Sequence, residues 1–224
     1  MSELAILDGP RAEPLGGGPA KRLVILLHGL GADGNDLIQL SPYLGRAVPE
    51  AAFVSPDAPQ PCDMAPFGRQ WFSLQDRDPE VLVQGADAAA PILDAFIDAE
   101  MERHGLDAGR VALVGFSQGG MMALHAGLRR ERPLAAICAL SGALLGADSL
   151  PEQIRSRPPV LLVHGDSDEV VPSRALPAAE AALAANRVPV TAEIRPGMGH
   201  GIDERCIQLA MTFLQKHLAG AAAE

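Results

Sequence analysis

The sequence is poor in cysteine and in positive charge. Its three cysteines, Cys62, Cys138 and Cys206, form no CxxC pair, and no cluster of cysteine and histidine has the spacing of metal ligands. We therefore expect no disulfide bonds and no metal site. With 28 acidic residues against 18 basic ones, the formal net charge is -10, and this charge argues against nucleic acid as a partner because phosphates would be repelled.

Long apolar runs are also missing. The start of the sequence has no basic segment followed by an apolar stretch, which is the pattern of a secretory signal. The aliphatic run at 23–27 is far too short to cross a bilayer. We expect a cytoplasmic protein without a transmembrane segment. The length of 224 residues predicts a single domain over 1–224, and it leaves a homodimer open.

Short apolar runs alternate with helical patterns along the chain. This alternation, with no strict polar periodicity in the apolar runs, predicts an α/β fold in which a mostly parallel central sheet is flanked by helices. The predicted strands are 22–27, 51–56, 111–115, 134–140, 159–165 and 189–195, and the predicted helices are 86–104, 118–130, 174–187 and 202–218.

Two segments do not follow this alternation. The opening stretch, LAILDGPRAEPLGGG, is compatible with an antiparallel hairpin at the edge of the sheet. The stretch at 55–80 is rich in proline, aspartate and glutamine, yet it contains Met64, Phe67, Trp71 and Phe72. Long loops in compact domains are usually functional, so we expect this one to contact a substrate.

The strongest chemical signal is VALVGFSQGG at 111–120. A predicted strand runs into Gly-Phe-Ser-Gln-Gly, and a helical pattern follows. This is the context of a nucleophile elbow, in which a strained turn lifts the serine hydroxyl above the sheet edge. Ser117 is therefore the candidate nucleophile. A serine that merely caps a helix after a glycine-rich turn is the alternative interpretation of the motif alone.

A serine hydroxyl needs a general base, and a carboxylate must orient that base. Among the six histidines, His200 lies in a glycine-rich loop between the last strand and the last helix, and it is the best candidate. The segment HGDSDEVVP, after the strand at 159–165, supplies the acid. We select Asp168 and expect Asp166 to brace the loop through backbone hydrogen bonds.

Two donors should stabilise the oxyanion that forms when the serine attacks. One is the amide of Gln118, directly after the nucleophile. The other is expected in LLHGLGADG at 26–34, with Leu30 as the donor. Four predicted strands thus end next to a candidate group, and sites in open α/β sheets form at the carboxyl ends of the strands.

HGLG at 28–31, GFSQGG at 115–120, HGDSDEVVP at 164–172 and GMGH at 197–200 resemble the phospholipase/carboxylesterase family of α/β hydrolases, which includes the acyl-protein thioesterases. The resemblance implies the α/β-hydrolase fold, Ser117, Asp168 and His200 as the triad, and Leu30 and Gln118 as oxyanion donors. The segment GRQWFS resembles the loop beside the acyl site of this family, so Trp71 and Phe72 are expected acyl contacts, with Met64 and Phe67 as further candidates.

The expected activity is hydrolysis of carboxylic esters of short to medium acyl chains through an acyl-enzyme, with a small-molecule ester or thioester as substrate and no cofactor. The segment at 141–159 is too short for a cap domain. Acyl-protein thioesterase or lysophospholipase activity is the alternative. A peptidase and a non-catalytic binding module rank lower, the latter because nucleophile, acid and base are all present.

Overall fold

The computed structural model describes residues 5–219 and contains a seven-stranded sheet with helices on both faces. The strands are β1 (Arg11–Ala12), β2 (Arg22–Leu27), β3 (Ala51–Val54), β4 (Gln60–Pro61), β5 (Arg69–Gln70), β6 (Val111–Phe116), β7 (Ala136–Leu140), β8 (Val160–Gly165) and β9 (Val190–Arg195). The helices are α1 (Gly34–Leu37), α2 (Ser41–Ala47), α3 (Pro79–His104), α4 (Gln118–Gly127), α5 (Leu150–Gln153), α6 (Ala175–Ala185) and α7 (Glu204–Leu214).

The central sheet has the order β1-β3-β2-β6-β7-β8-β9, and β1 is antiparallel to its neighbour while the other strands are parallel. This is the α/β-hydrolase fold that the sequence predicts. Because the strands are parallel, their carboxyl ends share one edge, and the segments after β2, β6, β8 and β9 meet there.

Both faces of the sheet are buried, which explains the apolar runs. In β2, Leu23, Ile25 and Leu27 face the side of the sheet that α3, α4 and α6 cover, whereas Val24 and Leu26 face the side that α2 and α7 cover. Side chains alternate between the faces of a strand. A strand covered on both sides is therefore apolar at every position.

The helix after the long loop begins earlier than predicted. The apolar spacing predicted 86–104, but α3 begins at Pro79. Asp78 caps it by accepting the amide of Glu80, and proline at the first helical position needs no hydrogen-bond acceptor. The end at His104 is as predicted, since Gly105 adopts a left-handed conformation with φ 64°. The short helices α1, α2 and α5 were not predicted.

The opening segment supplies an antiparallel strand at the edge of the sheet, as expected, but it does not form a hairpin. Within residues 5–18 the only strand is β1, two residues long, and it pairs with β3. Pro10 and Pro14 flank it and lack the amide hydrogens that a hairpin ladder needs.

Residues 141–159 are all described, and the only α-helix that they contain is α5. A cap domain is therefore not inserted between β7 and β8. In residues 5–219 no helix is both long enough and apolar enough to span a membrane.

Candidate active site

Ser117 lies on the sharp turn between β6 and α4. Its backbone has φ 54° and ψ −119°, a left-handed conformation that costs free energy in a residue with a side chain. The amide of Ser117 donates to the carbonyl of Leu140 at 2.9 Å. A Cβ atom at Gly119 would overlap the carbonyl oxygen of Leu27, and one at Gly115 would overlap that of Gly119. The two glycines of the motif are therefore required by close backbone packing.

His200 lies in the loop between β9 and α7, and its ring reaches Ser117. The distance from His200 Nε2 to Ser117 Oγ is 2.9 Å. The ring also packs on Phe116, with 4.9 Å between the ring centroids. Asp166 accepts the amide of Gly197 at 2.7 Å, so its expected role in bracing the loop is confirmed.

Asp168 is the carboxylate that contacts His200, with 2.7 Å between its Oδ2 and His200 Nδ1. Its other oxygen accepts the amides of Val170 and Val171, both at 2.9 Å. Burial alone would raise the pKa of Asp168, but the hydrogen bonds from His200 and from the two amides lower it below its usual value. The carboxylate therefore stays ionised and can hold a charged imidazole.

Two other buried histidines are held in structural contacts. His28 Nε2 accepts the amide of Ala58 at 3.0 Å, and burial lowers its pKa. His125 contacts Asp87 at 2.8 Å from inside α4, and burial again lowers its pKa. Neither is bonded to Ser117.

The turn after β2 lies directly beside Ser117. A Cβ atom at Gly29 would be 3.3 Å from Ser117 Cβ. In this turn the amide of Gly31 donates to Arg69 at 2.8 Å, and the amide of Ala32 donates to Gly29 at 3.3 Å. Leu30 lies between these residues. Gln118 begins α4, where the first amides of a helix have no acceptor within the helix.

The segment 68–72 braces both of these backbone regions, a role that sequence reasoning missed. The amide and carbonyl of Arg69 bond to Ala32 and Gly31, both at 2.8 Å. Gly68 makes this pairing possible because it has φ 79° and a Cβ atom there would overlap the carbonyl of Gly31. The Trp71 ring donates from Nε1 to the carbonyl of His28 at 3.0 Å.

The side chain of Gln118 completes the brace. It is fully buried, its Oε1 accepts the amide of Trp71 at 2.9 Å, and its Nε2 donates to the carbonyl of Phe72 at 2.7 Å. One residue thus places an amide next to the nucleophile and ties the long loop to the elbow. A polar residue directly after the nucleophile was the sequence feature that could have indicated this role. Its side-chain partners, Trp71 and Phe72, are more than 40 residues away in the sequence, so the sequence did not identify them.

The four residues expected to contact the acyl chain divide into two pairs. Trp71 and Phe72 are core residues, 0% and 1% exposed. They bond to the Gln118 side chain, and Trp71 also bonds to the carbonyl of His28. The expectation that their rings touch the substrate does not agree with this placement. Met64 and Phe67 are 51% and 74% exposed, and they lie in the turn between β4 and β5.

A cavity of about 660 Å³ lies between the first turn of α3 and the segment after β7. Val83 and Leu144 contribute its apolar wall. Gly142, two residues before Leu144, packs against Ser117, since a Cβ atom there would be 3.2 Å from the Ser117 carbonyl oxygen. In residues 5–219 no three histidine, cysteine, aspartate or glutamate side chains are grouped so as to hold a metal ion.

The sheet order and the chain of contacts from Ser117 to His200 to Asp168 define a serine hydrolase of the α/β-hydrolase fold. Comparison with known proteins gives the same class. The chain is 32% identical to esterase YpfH of Escherichia coli over 198 residues, which cover 88% of this chain and 83% of the relative. It is 31% identical to acyl-protein thioesterase 1 of Kluyveromyces lactis over 166 residues, or 69% of this chain and 72% of the relative.

Among solved structures, the crystal structure of esterase PE8 superposes with a TM-score of 0.91 at 41% identity, covering 96% of this chain and all of that one. The sequence profile of the phospholipase/carboxylesterase family matches residues 15–218. The chain belongs to this family, as its motifs indicated.

Proposed function

We propose that the protein is a carboxylesterase that forms an acyl-enzyme on Ser117. The observation that carries the proposal is the 2.9 Å contact between His200 Nε2 and Ser117 Oγ. At this distance the imidazole can take the hydroxyl proton as the oxygen attacks a carbonyl carbon. The contact with Asp168 at 2.7 Å fixes the hydrogen on Nδ1 and leaves Nε2 free to act as the base.

In the first step, Ser117 Oγ bonds to the ester carbonyl carbon while its proton moves to His200. The carbonyl oxygen becomes an oxyanion, and we assign the amides of Leu30 and Gln118 as its donors. The amides of Gly31 and Ala32 are engaged with Arg69 and Gly29, which supports Leu30 as the donor from this turn. One such donor is worth about 3–4 kcal/mol in the transition state.

Collapse of the tetrahedral species expels the alcohol, which receives the proton from His200. Water then attacks the acyl-enzyme by the same route, with His200 as the base, and the acid product leaves Ser117. Throughout both steps the ionised Asp168 stabilises the imidazolium.

The proposed substrate is a small ester of short to medium acyl chain. The edge of the sheet is not covered by an insertion between β7 and β8. We assign the exposed Met64 and Phe67 as contacts for the acyl chain, and the cavity lined by Val83 and Leu144 as the space for its far end. The support for this assignment is that Gly142, two residues before Leu144, packs against the carbonyl of Ser117. Trp71 and Phe72 would then act by supporting the oxyanion donors.

A thioester is the second candidate, supported by the similarity to an acyl-protein thioesterase. The same attack would expel a thiol in place of an alcohol, so the site itself accommodates both. A lysophospholipid is a third ester that would fit this chemistry. The solved esterase structure is 41% identical to this chain, against 31% for the thioesterase relative, and this difference supports the oxygen ester as the first candidate.

The test is a comparison of kcat/KM for oxygen esters and thioesters of matched acyl chains of increasing length, with a peptide as a further substrate. We expect the highest values for oxygen esters of short or medium chain and no cleavage of the peptide. Ser117→Ala should abolish turnover, whereas Ser173→Ala, on the loop before α6, should not change it. Higher kcat/KM for thioesters at every chain length would select the second candidate, and turnover by Ser117→Ala would refute both.

A further inference from the structure

A second histidine contacts the carboxylate that orients His200. His164 is the penultimate residue of β8, and its side chain is 1% exposed. Its Nε2 lies 2.8 Å from the carbonyl oxygen of Val171 and 3.2 Å from Asp168 Oδ2. The mechanism above does not use this ring.

The hydrogen on this ring can be assigned from its neighbours. Both atoms close to Nε2 are oxygens that can only accept a hydrogen bond, so Nε2 must carry a hydrogen. The ring therefore donates its hydrogen to the Val171 carbonyl. Asp168 Oδ2 lies 3.2 Å from the same nitrogen, so the positive end of this N–H dipole is close to the carboxylate.

Both oxygens of the Asp168 carboxylate accept hydrogen bonds. Oδ1 accepts the amides of Val170 and Val171, Oδ2 accepts His200 Nδ1, and His164 Nε2 lies 3.2 Å from Oδ2. Val171 closes a ring of contacts, since its amide bonds to Asp168 and its carbonyl bonds to His164. A carboxylate with donors on both oxygens cannot rotate without breaking several bonds.

We propose that His164 is a positioning residue for the proposed reaction, because it holds the Asp168 carboxylate in line with His200 and limits the basicity of Oδ2. This inference rests on the proposed function. The titratable groups that contact Asp168 are His164 on β8 and His200 in the loop after β9. Asp166, on the same loop as Asp168, is turned to the amide of Gly197.

Loss of the His164 donor has two physical consequences. The turn that holds Asp168 loses the bond from His164 to the Val171 carbonyl, so the carboxylate orients the imidazole less well and kcat falls. Oδ2 also loses the positive end of a nearby N–H dipole, so it stabilises the His200 imidazolium more strongly. The acid limb of the pH profile of kcat/KM should therefore move to higher pH.

The matched variants are His164→Gln and His164→Met, which have similar volumes. Glutamine places an amide nitrogen near the position of Nε2, whereas methionine has no donor. We expect His164→Met to lower kcat about tenfold, which corresponds to 1.36 kcal/mol in the barrier, with an unchanged KM and an acid limb shifted upward. His164→Gln should retain most of kcat and keep the acid limb of the parent enzyme.

The same substitution in an Asp168→Asn background separates positioning from general damage to the loop. If His164 acts through the carboxylate, His164→Met should have little further effect on kcat there, because coupled residues are not additive. The inference would be overturned if His164→Met lowered kcat equally in the parent enzyme and in Asp168→Asn. It would also be overturned if His164→Gln and His164→Met were equally active and the acid limb of the pH profile did not move in either variant. Failure of Asp168→Asn itself to lower kcat would instead contradict the proposed function.

Discussion

Replacement of Gln118 by methionine removes two buried hydrogen bonds while it nearly preserves side-chain volume. The amide of Trp71 and the carbonyl of Phe72 would lose their partner, and both residues are buried. An unsatisfied buried group costs about 1–3 kcal/mol, so two such groups should reduce the free energy of unfolding by about 3 kcal/mol. For a chain of this size that loss corresponds to a Tm lower by about 6–12 °C.

The assay is thermal unfolding followed by calorimetry, together with kcat on an ester. The control is Gln39→Met, since Gln39 is exposed and makes one hydrogen bond, to the carbonyl of Asn35. We expect kcat to fall in the Gln118 variant because the segment at 68–72 also holds the turn that contains Leu30. An unfolding temperature no lower than that of the Gln39 variant would refute the reasoning.

Three further predictions concern the elbow, the acid and the cavity. Gly119→Ala should prevent folding or abolish activity, because the new Cβ overlaps the carbonyl oxygen of Leu27. The control is Gly109→Ala, whose Cβ meets only the Asp107 carboxylate at 3.4 Å and should change neither folding nor activity. Circular dichroism and turnover check both variants, and a folded, active Gly119 variant would contradict the packing argument. The lowered pKa of Asp168 contributes stability that is complete above its unfolded value near 3.8 and is lost as the pH falls through the folded value. Asp168→Asn should therefore lose less stability than the parent as the pH falls below 3.8 in denaturant titrations, and equal losses would contradict this sign. Leu144→Trp should lower kcat/KM for longer acyl chains and leave acetyl esters unchanged, and an equal effect on every chain length would exclude the cavity as the acyl site.

Much of the fold and of the site geometry is readable in the sequence because it depends on local patterns. A parallel strand buried on both faces is apolar at each position, so β2, β6, β7 and β8 appear as clear runs. Their order fixes which loops share the carboxyl edge. Gly115 and Gly119, on either side of Ser117, indicate a sharp turn, because neither position has room for a side chain. The sequence therefore predicts which residues the structure brings within hydrogen-bond distance of Ser117.

The interior of the long loop was not predictable in the same way. Aromatic residues in a polar loop indicate either a substrate contact or an anchor, and composition does not separate the two. Trp71 is an anchor because its ring donates to His28 and its amide bonds to the side chain of Gln118. These partners are distant in sequence, and no local periodicity encodes them. The same holds for His164, whose contact with Asp168 depends on the turn at 166–171.

The most direct test of the account is to identify the atom that carries the acyl group during turnover. The enzyme is quenched in acid while it hydrolyses a p-nitrophenyl ester, and the adduct is located by peptide mapping with mass spectrometry. We predict a single acyl group on Ser117 and no acyl group after His200→Ala, because the same imidazole is the base when Ser117 attacks the ester. An acyl group on another residue, or steady hydrolysis with no covalent adduct at any time, would contradict it.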